Sequence, residues 1–287
     1  MHYPATELVL DKNGNVYHLG VSPEDIADKI ILVGDQDRVD LVAALFDTVE
    51  HASQHREFVC KTGVYLNKRI SVLSTGIGTD NIDIVINELD ALVNIDLKER
   101  TDKSNFKSLD LVRIGTCGIL QEDIPIHSYI LSTHAFGLDN VAHFYDIPFT
   151  ESEEQLKNEI MAQVDFPELV KPYLIEASKT LQDKMSSEKT TNGITITSSG
   201  FYGPQGRQLR LKNKVSGINE QLTAFRNGTN RILNFEMESS ALFALGKSLG
   251  HNCATLCLGI ANRPNKEFST GHKDDMVKLI KYVLDRI

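Results

Sequence analysis

The chain of 287 residues has little of what disulfide-stabilised, membrane-spanning or nucleic-acid-binding proteins need. Its cysteines, Cys60, Cys117, Cys253 and Cys257, are too few and too scattered for a disulfide framework. No apolar run approaches the roughly 18 to 20 residues that span a bilayer, and residues 1–15 lack the apolar core of a signal peptide. Because 30 basic residues face 39 acidic ones, the net charge of −9 argues against sequence-independent nucleic-acid binding. We therefore expect a cytoplasmic protein whose partners include neither membrane nor nucleic acid.

Linkers and metal-ligand clusters are also missing. No Pro/Gly/Ser-rich linker, internal repeat or low-complexity segment divides the chain, and its 41% apolar content can form one large core. We expect a single domain over residues 1–287, with two small domains as the alternative. The 9 histidines form no HExxH-type cluster, and the spacing of Cys253 and Cys257 is not that of a zinc knuckle. Spacing therefore predicts no metal site.

Short apolar runs alternate with amphipathic segments, which predicts an α/β fold with a mostly parallel or mixed sheet. The predicted strands cover residues 29–33, 69–74, 111–118, 127–135, 194–197 and 252–260. The predicted helices include residues 39–46, a segment after Asp80, residues 240–249 and residues 274–287. Residues 151–187, apart from Pro167 and Pro172, are predicted to form two polar helices on the surface.

Two arginines at strand ends predict an anion site. Gly34 follows a strand and precedes a helix, an arrangement that presents backbone N–H groups to an anion. Arg38 at that helix start opposes the helix dipole unless an anion lies between them. Arg113 lies within an apolar strand, where it needs a carboxylate or a bound anion, and Thr116 follows in a Gly-rich corner. Since ligands bind at the carboxyl ends of such strands, we expect these groups to converge.

Two further segments each allow a structural and a functional interpretation. The loop with Phe201, Gln205 and Arg207 suits a flat polar ring through stacking, an amide and a guanidinium, although its aromatics can equally be ordinary packing. Glu236 and Glu238 precede an apolar helix, so they are either acids at a helix start or carboxylates that handle hydroxyls or protons in a pocket.

Taken in order, these motifs resemble the nucleoside phosphorylase superfamily, and within it most closely the uridine phosphorylase family. The similarity extends from His18 to Arg263. Its motifs are Gly34-Asp35-Gln36-Asp37-Arg38, His55-Arg56-Glu57, Ser74-Thr75-Gly76-Ile77-Gly78, Arg113-Ile114-Gly115-Thr116, Phe201-Tyr202 with Gln205 and Arg207, and Glu236-Met237-Glu238. The resemblance implies a phosphorylase/hydrolase-like three-layer αβα sandwich with a central mixed sheet.

The resemblance also implies a role for each motif. Phosphate would be bound by Gly34, Arg38, Arg113, Thr116 and, from a neighbouring subunit, Arg56. Ribose would be bound by Glu236, Met237, Glu238 and the neighbour's His18. The base would be surrounded by Gly118, Phe201, Gln205, Arg207, Ile260 and Ala261. His18 taken alone favours a surface or packing role, and the segment around Arg56 an exposed charged turn.

The activity implied is the reversible, phosphate-dependent cleavage of uridine to uracil and ribose 1-phosphate. Arg113, Glu238 and Arg207 would be catalytic, inorganic phosphate would be the co-substrate, and no cofactor would be required. The site would be shared between subunits of a homohexamer built from dimers, and a monovalent cation at Glu57 stays open. A purine or broad-specificity phosphorylase, a hydrolytic nucleosidase and a non-catalytic nucleoside-binding protein are the alternatives.

One position bears on the base. Related purine enzymes place an aspartic acid just after the last strand to protonate the purine ring, whereas this chain has Asn262 there, followed by Arg263. Because asparagine cannot act as an acid, the resemblance favours a pyrimidine. Departures from the family pattern lie at Cys117, at Gly203-Pro204 and at Thr79-Asp80-Asn81.

Overall fold

The fold is built on one large mixed β-sheet with helices on both faces, in a computed structural model that describes residues 2–287. The strands are β1 Lys29–Val33, β2 Thr48–His55, β3 Phe58–Tyr65, β4 Lys68–Ser74, β5 Ile95–Asp96, β6 Thr101–Asp102, β7 Asp110–Ile119, β8 Tyr129–Gly137, β9 Tyr173–Glu176, β10 Thr190–Thr197, β11 Arg226–Asn227, β12 Asn230–Glu236, β13 Asn252–Asn262 and β14 Glu267–Phe268. The α-helices are α1 Gln36–Ala43, α2 Thr79–Asn94, α3 Glu151–Met161, α4 Lys179–Met185, α5 Ile218–Ala224, α6 Ser239–Ser248 and α7 Lys273–Leu284.

The sheet is mixed: most of its central pairs are parallel, but β13 pairs antiparallel with β8. Its strand order is β11-β12-β10-β8-β13-β7-β1-β4-β3-β2. Strand β1 pairs in parallel with β4 and β7, whereas β2, β3 and β4 form an antiparallel edge. Strand β12 also pairs antiparallel with β7, so that β7, β13, β8, β10 and β12 close on themselves. Register shifts in β10 and β13 accompany this closure, as bulges bend and twist strands.

Alternation along β1 shows how the layers pack. Ile30 and Leu32 face the core shared with α2 and α6, while Ile31 and Val33 face the core shared with α1 and α7. Successive side chains of a strand point to opposite faces, so a strand that is apolar throughout must be covered on both sides. The predicted three-layer αβα arrangement around a mixed sheet is confirmed.

The prediction that residues 151–187 form two polar helices was only partly right. It contains α3 and α4, but β9 lies between them and pairs antiparallel with β8. Helix α3 begins at a capping box formed by Thr150 and Glu153. Three consecutive buried residues, Tyr173 to Ile175, make β9 a buried strand, and such a short run carries no clear period.

Two searches over residues 2–287 returned nothing. No helix there is long and apolar enough to cross a membrane. No group of three or more His, Cys, Asp or Glu side chains has the geometry to hold a metal ion in that range.

Candidate active site

A cavity of about 870 Å³ opens at the carboxyl ends of the central strands. Parallel pairing of β1 with β7 sets Val33 opposite Ile114, which brings Gly34 and Thr116 to one edge of the sheet. Strand β12 ends nearby at Glu236, and β13 contributes Ile260. The sheet topology thus gathers polar groups that lie up to two hundred residues apart in the chain, as expected for an open α/β sheet.

One end of the cavity carries two guanidinium groups, of which Arg38 lacks a carboxylate partner and Arg113 has two. Arg38 donates through Nη1 to the carbonyl oxygen of Ile114 at 3.2 Å and has no carboxylate partner among residues 2–287. Burial, together with the nearby charge of Arg113, lowers the pKa of Arg38 below its ordinary value. Since charge buried without a partner is unfavourable, this end suits an anion.

Arg113 forms a buried ion-pair cluster with two glutamates. Its Nη2 donates to Glu238 Oε2, and its Nη1 lies 3.3 Å from Glu236 Oε2. Burial alone would lower the pKa of Arg113, but these two carboxylates outweigh it and raise that pKa. Burial beside Glu236 raises the pKa of Glu238, although Arg113 opposes that shift. One guanidinium therefore serves two carboxylates and fixes their positions.

A glycine and a cysteine make room for this guanidinium. A Cβ atom at Gly115 would lie 2.2 Å from Arg113 Nη1, so any side chain there would displace the arginine. On the neighbouring strand, Cys257 Sγ lies 3.6 Å from the same nitrogen. The Gly-rich stretch predicted as a corner is therefore part of β7, and its glycine is required by Arg113 packing over its own strand.

The start of α6 holds the two glutamates. Glu236 accepts hydrogen bonds from the backbone N–H groups of Glu238 and Ser239, at 3.0 Å each, and from Thr197 Oγ1 at 2.5 Å. Glu238 Oε1 accepts from Gly78 N at 2.8 Å. The helix-start interpretation is confirmed for Glu236, whose side chain caps the first turn of α6. Both glutamates line the cavity, and their handling of hydroxyls or protons stays a prediction. Each Glu238 oxygen retains acceptor capacity for a ligand hydroxyl.

The other end of the cavity is formed by a loop whose Arg207 lines it, and the guanidinium of Arg263 bonds to this loop without lining the cavity. Arg207 lies 3.7 Å from the centre of the Phe201 ring and donates to Gln205 Oε1. Arg263 lies over the Phe235 ring and donates to the same Gln205 oxygen at 3.2 Å. Burial lowers the pKa of Arg207, and burial with the charge of Arg207 lowers that of Arg263 to about 10. The amide oxygen is fully engaged, which leaves Gln205 Nε2 as a donor.

The last strand completes this end. In its pairing with β7, Gly259 lies opposite Cys117 and Ala261 opposite Gly118, so Ile260 is the extra residue of a bulge. A bulge re-aims side chains, and here Ile260 and Ala261 line the cavity. A Cβ atom at Gly118 would approach Arg263 Nε to 3.4 Å. Glycine therefore keeps room beside the guanidiniums.

The structure brings most of the predicted site residues into this one cavity. Its lining includes Gly34, Arg38, Glu57, Arg113, Thr116, Gly118, Phe201, Gln205, Arg207, Glu236, Met237, Glu238, Ile260 and Ala261. His18 and Arg56 lie outside it and near each other. His18 Nδ1 is 2.6 Å from Glu88 Oε1, and the Arg56 guanidinium lies 5.6 Å from the Tyr17 ring. Both stay predicted contributions to a neighbour's site.

Several residues at the cavity went unnoticed in the sequence. Thr197 donates to Glu236, Arg263 donates to Gln205, and Phe268 lines the cavity. Gly78, which donates to Glu238, belongs to one of the motifs that carry the resemblance. Arg263 follows Asn262, whose position was already considered, so the sequence offered a signal for it. No motif or unusual spacing surrounds Thr197 or Phe268. Asn262 is fully buried, and its Nδ2 donates to the carbonyl oxygens of Gln121 and Ile124. Its amide therefore supports a loop and does not line the cavity.

Taken together, these elements form an α/β fold whose cavity combines buried guanidinium groups, a carboxylate with free acceptor capacity, and a loop that carries an aromatic ring and an amide. Comparison with known proteins agrees. Residues 28–287 match the family model described as "Phosphorylase superfamily". A uridine phosphorylase of Thermococcus kodakarensis is 30% identical over 270 residues, which cover 92% of this chain and 83% of that protein.

Two other relatives are a nucleoside phosphorylase of known structure and a purine nucleoside phosphorylase. A Trypanosoma brucei nucleoside phosphorylase whose structure is described as showing uridine phosphorylase activity superposes with a TM-score of 0.89 at 28% identity, covering 98% of this chain and 99% of that chain. A DeoD-type purine nucleoside phosphorylase of Brevibacillus brevis is 28% identical over 246 residues, 83% of each chain. The chain therefore belongs to the phosphorylase superfamily. It is a nucleoside phosphorylase-type pentosyltransferase, and the family uses phosphate as co-substrate.

Proposed function

We propose that this enzyme is a uridine phosphorylase that converts uridine and phosphate reversibly to uracil and ribose 1-phosphate. The observation that carries the proposal is the distribution of charge in the cavity. Arg38 and Arg113 line one part of the cavity and Arg207 another, and the carboxylate of Glu238 lies against Arg113. A nucleoside with phosphate beneath its sugar offers the matching groups: an anion, hydroxyls and a polar ring.

At the anion end, Arg38 and Arg113 would hold phosphate with Gly34 and Thr116. Phosphate attacks the anomeric carbon while the bond to the base breaks, so the sugar gains positive charge. A dianion fixed beforehand both stabilises that charge and supplies the nucleophile. Glu238 would accept from the ribose hydroxyls, with Met237 packed against the sugar and Glu236 holding Arg113 in place. No side-chain nucleophile is needed.

At the base end, the donors favour uracil. Gln205 Nε2 and the guanidinium of Arg207 would donate to its two carbonyl oxygens and stabilise negative charge on the leaving ring, while Phe201 would stack on it. The carboxylates that line the cavity are those of Asp35, Asp37, Glu57, Glu236 and Glu238. None comes from the segments that form the base end, so no acid is placed to protonate a purine ring there.

We further propose that the active form is a homo-oligomer, a homohexamer built from dimers, with residues 1–287 as a single domain and a cytoplasmic location. Arg56 would reach a neighbour's phosphate and His18 the 5′ end of its ribose. Both side chains lie at the surface beside the Tyr17 ring, outside their own cavity. Glu57 lines the cavity next to Arg56, where a monovalent cation between subunits would find an oxygen ligand.

The test is to measure the loss of uridine and of inosine side by side, with and without phosphate. We expect uridine to be cleaved only with phosphate. Rapid cleavage of inosine with inert uridine would support the purine alternative, which the purine phosphorylase relatives favour. Turnover without phosphate would indicate a nucleosidase, and saturable uridine binding without products a non-catalytic binding protein.

A further inference from the structure

Three side chains form a hydrogen-bonded row beside the base end of the cavity. In the first turn of α7, Asp275 Oδ2 lies 2.8 Å from His127 Nδ1. The opposite ring nitrogen, His127 Nε2, lies 2.7 Å from Ser269 Oγ. Ser269 is only 5% exposed and borders no cavity described above, so the row is not placed to act as a hydrolytic triad. The row of three side chains is therefore better explained by the segment that it holds in place.

The row fixes a short hairpin that carries Phe268. Strand β14 pairs with the end of β13, with Phe268 opposite Ala261, and Ser269 N donates to the carbonyl oxygen of Ile260 at 2.8 Å. Phe268 lines the cavity yet is 69% exposed, so little packing holds its ring in place. Ser269, the residue directly after Phe268, connects the end of β14 through His127 to α7.

His127 itself is held in an uncommon backbone conformation. Its φ of 68° lies in the left-handed region, which is unfavourable for residues other than glycine. Its backbone N–H donates to the carbonyl oxygen of Gly259 at 2.7 Å, and Gly259 N donates to Ser128 O at 3.0 Å. The loop is thus tied to the strand segment just before the Ile260 bulge. Strain that the surroundings maintain in this way is typical of functional positions.

We propose that His127 is a positioning residue: through Ser269 it fixes Phe268 at the mouth of the cavity, against the nucleoside. The inference rests on the proposed function only in placing the nucleoside at that end. Asp275 orients the imidazole by accepting from Nδ1, and Lys278, 2.8 Å from the Asp275 carboxylate, keeps that carboxylate in place. Neutral His127 accepts from the Ser269 hydroxyl, and the cation donates to it, so the row holds in both protonation states.

The chain contains no tryptophan, so Phe268→Trp creates a single fluorescent reporter at the cavity mouth. We would compare the emission of this variant with that of the same variant carrying His127→Ala or Ser269→Ala. Emission is read without ligand and during titration with uridine in the absence of phosphate. We expect both second substitutions to shift the emission and to weaken the response to uridine.

Kinetics without the reporter give the second readout. His127→Ala and Ser269→Ala should raise the KM for uridine by roughly 5- to 30-fold, the equivalent of one lost buried hydrogen bond. The KM for phosphate should stay within about twofold, because the anion end lies on other strands. His143→Ala is the matched control, because His143 also has a hydrogen-bonded ring nitrogen, 2.7 Å from the Lys171 carbonyl oxygen, but does not line the cavity; it should change neither KM value.

The fluorescence and kinetic results distinguish a positioning role of the row from a purely structural one. Unchanged emission in the double variants, or an equal rise of both KM values, would overturn the positioning role. If His127→Ala does not fold, Ser269→Ala decides, because it removes one hydroxyl only. The ligand-free emission does not depend on turnover, so it tests the row even if uridine proves not to be a substrate.

Discussion

The two ends of the cavity are built differently. The anion end stands on the ends of β1 and β7, and its central group, Arg113, is 5% exposed and held by two buried carboxylates. The base end stands largely on the loop after β10, where Phe201 is 49% exposed and Arg207 is held mainly by its own loop. Strand ends inside a closed set of strands are fixed by many hydrogen bonds, whereas a surface loop is not.

Under the proposed function, this difference in construction would separate the chemical step from the recognition of the base. Attack by phosphate needs an anion held in one position, which a buried ion-pair cluster provides. Recognition of a base needs donors whose arrangement can differ between relatives, and loops vary more readily than strands. Relatives at about 30% identity that act on uridine or on purine nucleosides are consistent with that division.

The largest effect is expected from Arg113→Ala. Loss of the guanidinium should lower kcat/KM by about 10²- to 10³-fold. It also leaves Glu236 and Glu238 buried without their partner, which should lower the free energy of unfolding by roughly 3–5 kcal/mol. Steady-state kinetics and urea unfolding measure both. Arg210→Ala, which removes an exposed arginine without an ion pair, is the control. Near-normal activity in Arg113→Ala would contradict a role of the anion end in the mechanism.

Arg207→Ala tests the opposite end. Removing this guanidinium should lower kcat/KM for uridine by roughly 10- to 100-fold, since hydrogen bonds to charged groups contribute about 1.5–3 kcal/mol. The KM for phosphate and the free energy of unfolding should change little, because Arg207 is half-buried on a loop. An equal loss for every nucleoside, or a large loss of stability, would contradict the separation of the two ends.

A pair of buried threonines on β10 offers a finer comparison. Thr197 donates to Glu236 and accepts from Ser240 N at 3.0 Å, whereas Thr195 donates to Asn234. Thr197→Val should lower kcat/KM by roughly 5- to 30-fold through misplacement of Glu236. Thr195→Val should cost comparable stability with activity retained. Thermal unfolding measures the loss of stability in both variants, and steady-state kinetics measure the loss of activity. Equal kcat/KM values in the two variants would show that Thr197 contributes to stability alone.

The smallest effect concerns pH. Burial raises the pKa of Glu238 in the native state, so the folded chain binds a proton where the unfolded chain has lost it. Stability from this group is therefore present below the ordinary pKa of 4.5 and decreases as the pH rises through the native value. Urea unfolding of the wild type and of Glu238→Gln across that range measures it. A difference between the two proteins that does not change with pH would refute the shift.

Local patterns allowed six of the fourteen strands and most of the helices to be predicted, and the resemblance supplied most cavity residues. β9 was missed because four residues between two helices carry too little periodicity. The pairing of β12 with β7 was also missed, since no local pattern encodes which distant strands meet. Phe268 and Thr197 escaped for the same reason, because their roles depend on neighbours far along the chain.

By itself, the sequence determined the strand–helix alternation, the presence of Arg38, Glu236 and Glu238 at element ends, and that of Arg113 inside an apolar strand. It also required that a buried Arg113 have a partner. Only the tertiary structure decided that this partner is a pair of glutamates, that Asn262 supports a loop, and that Arg263 joins the base end. The reason is physical: periodicity and burial cost are local properties, whereas the distance between two charges depends on how the strands are ordered.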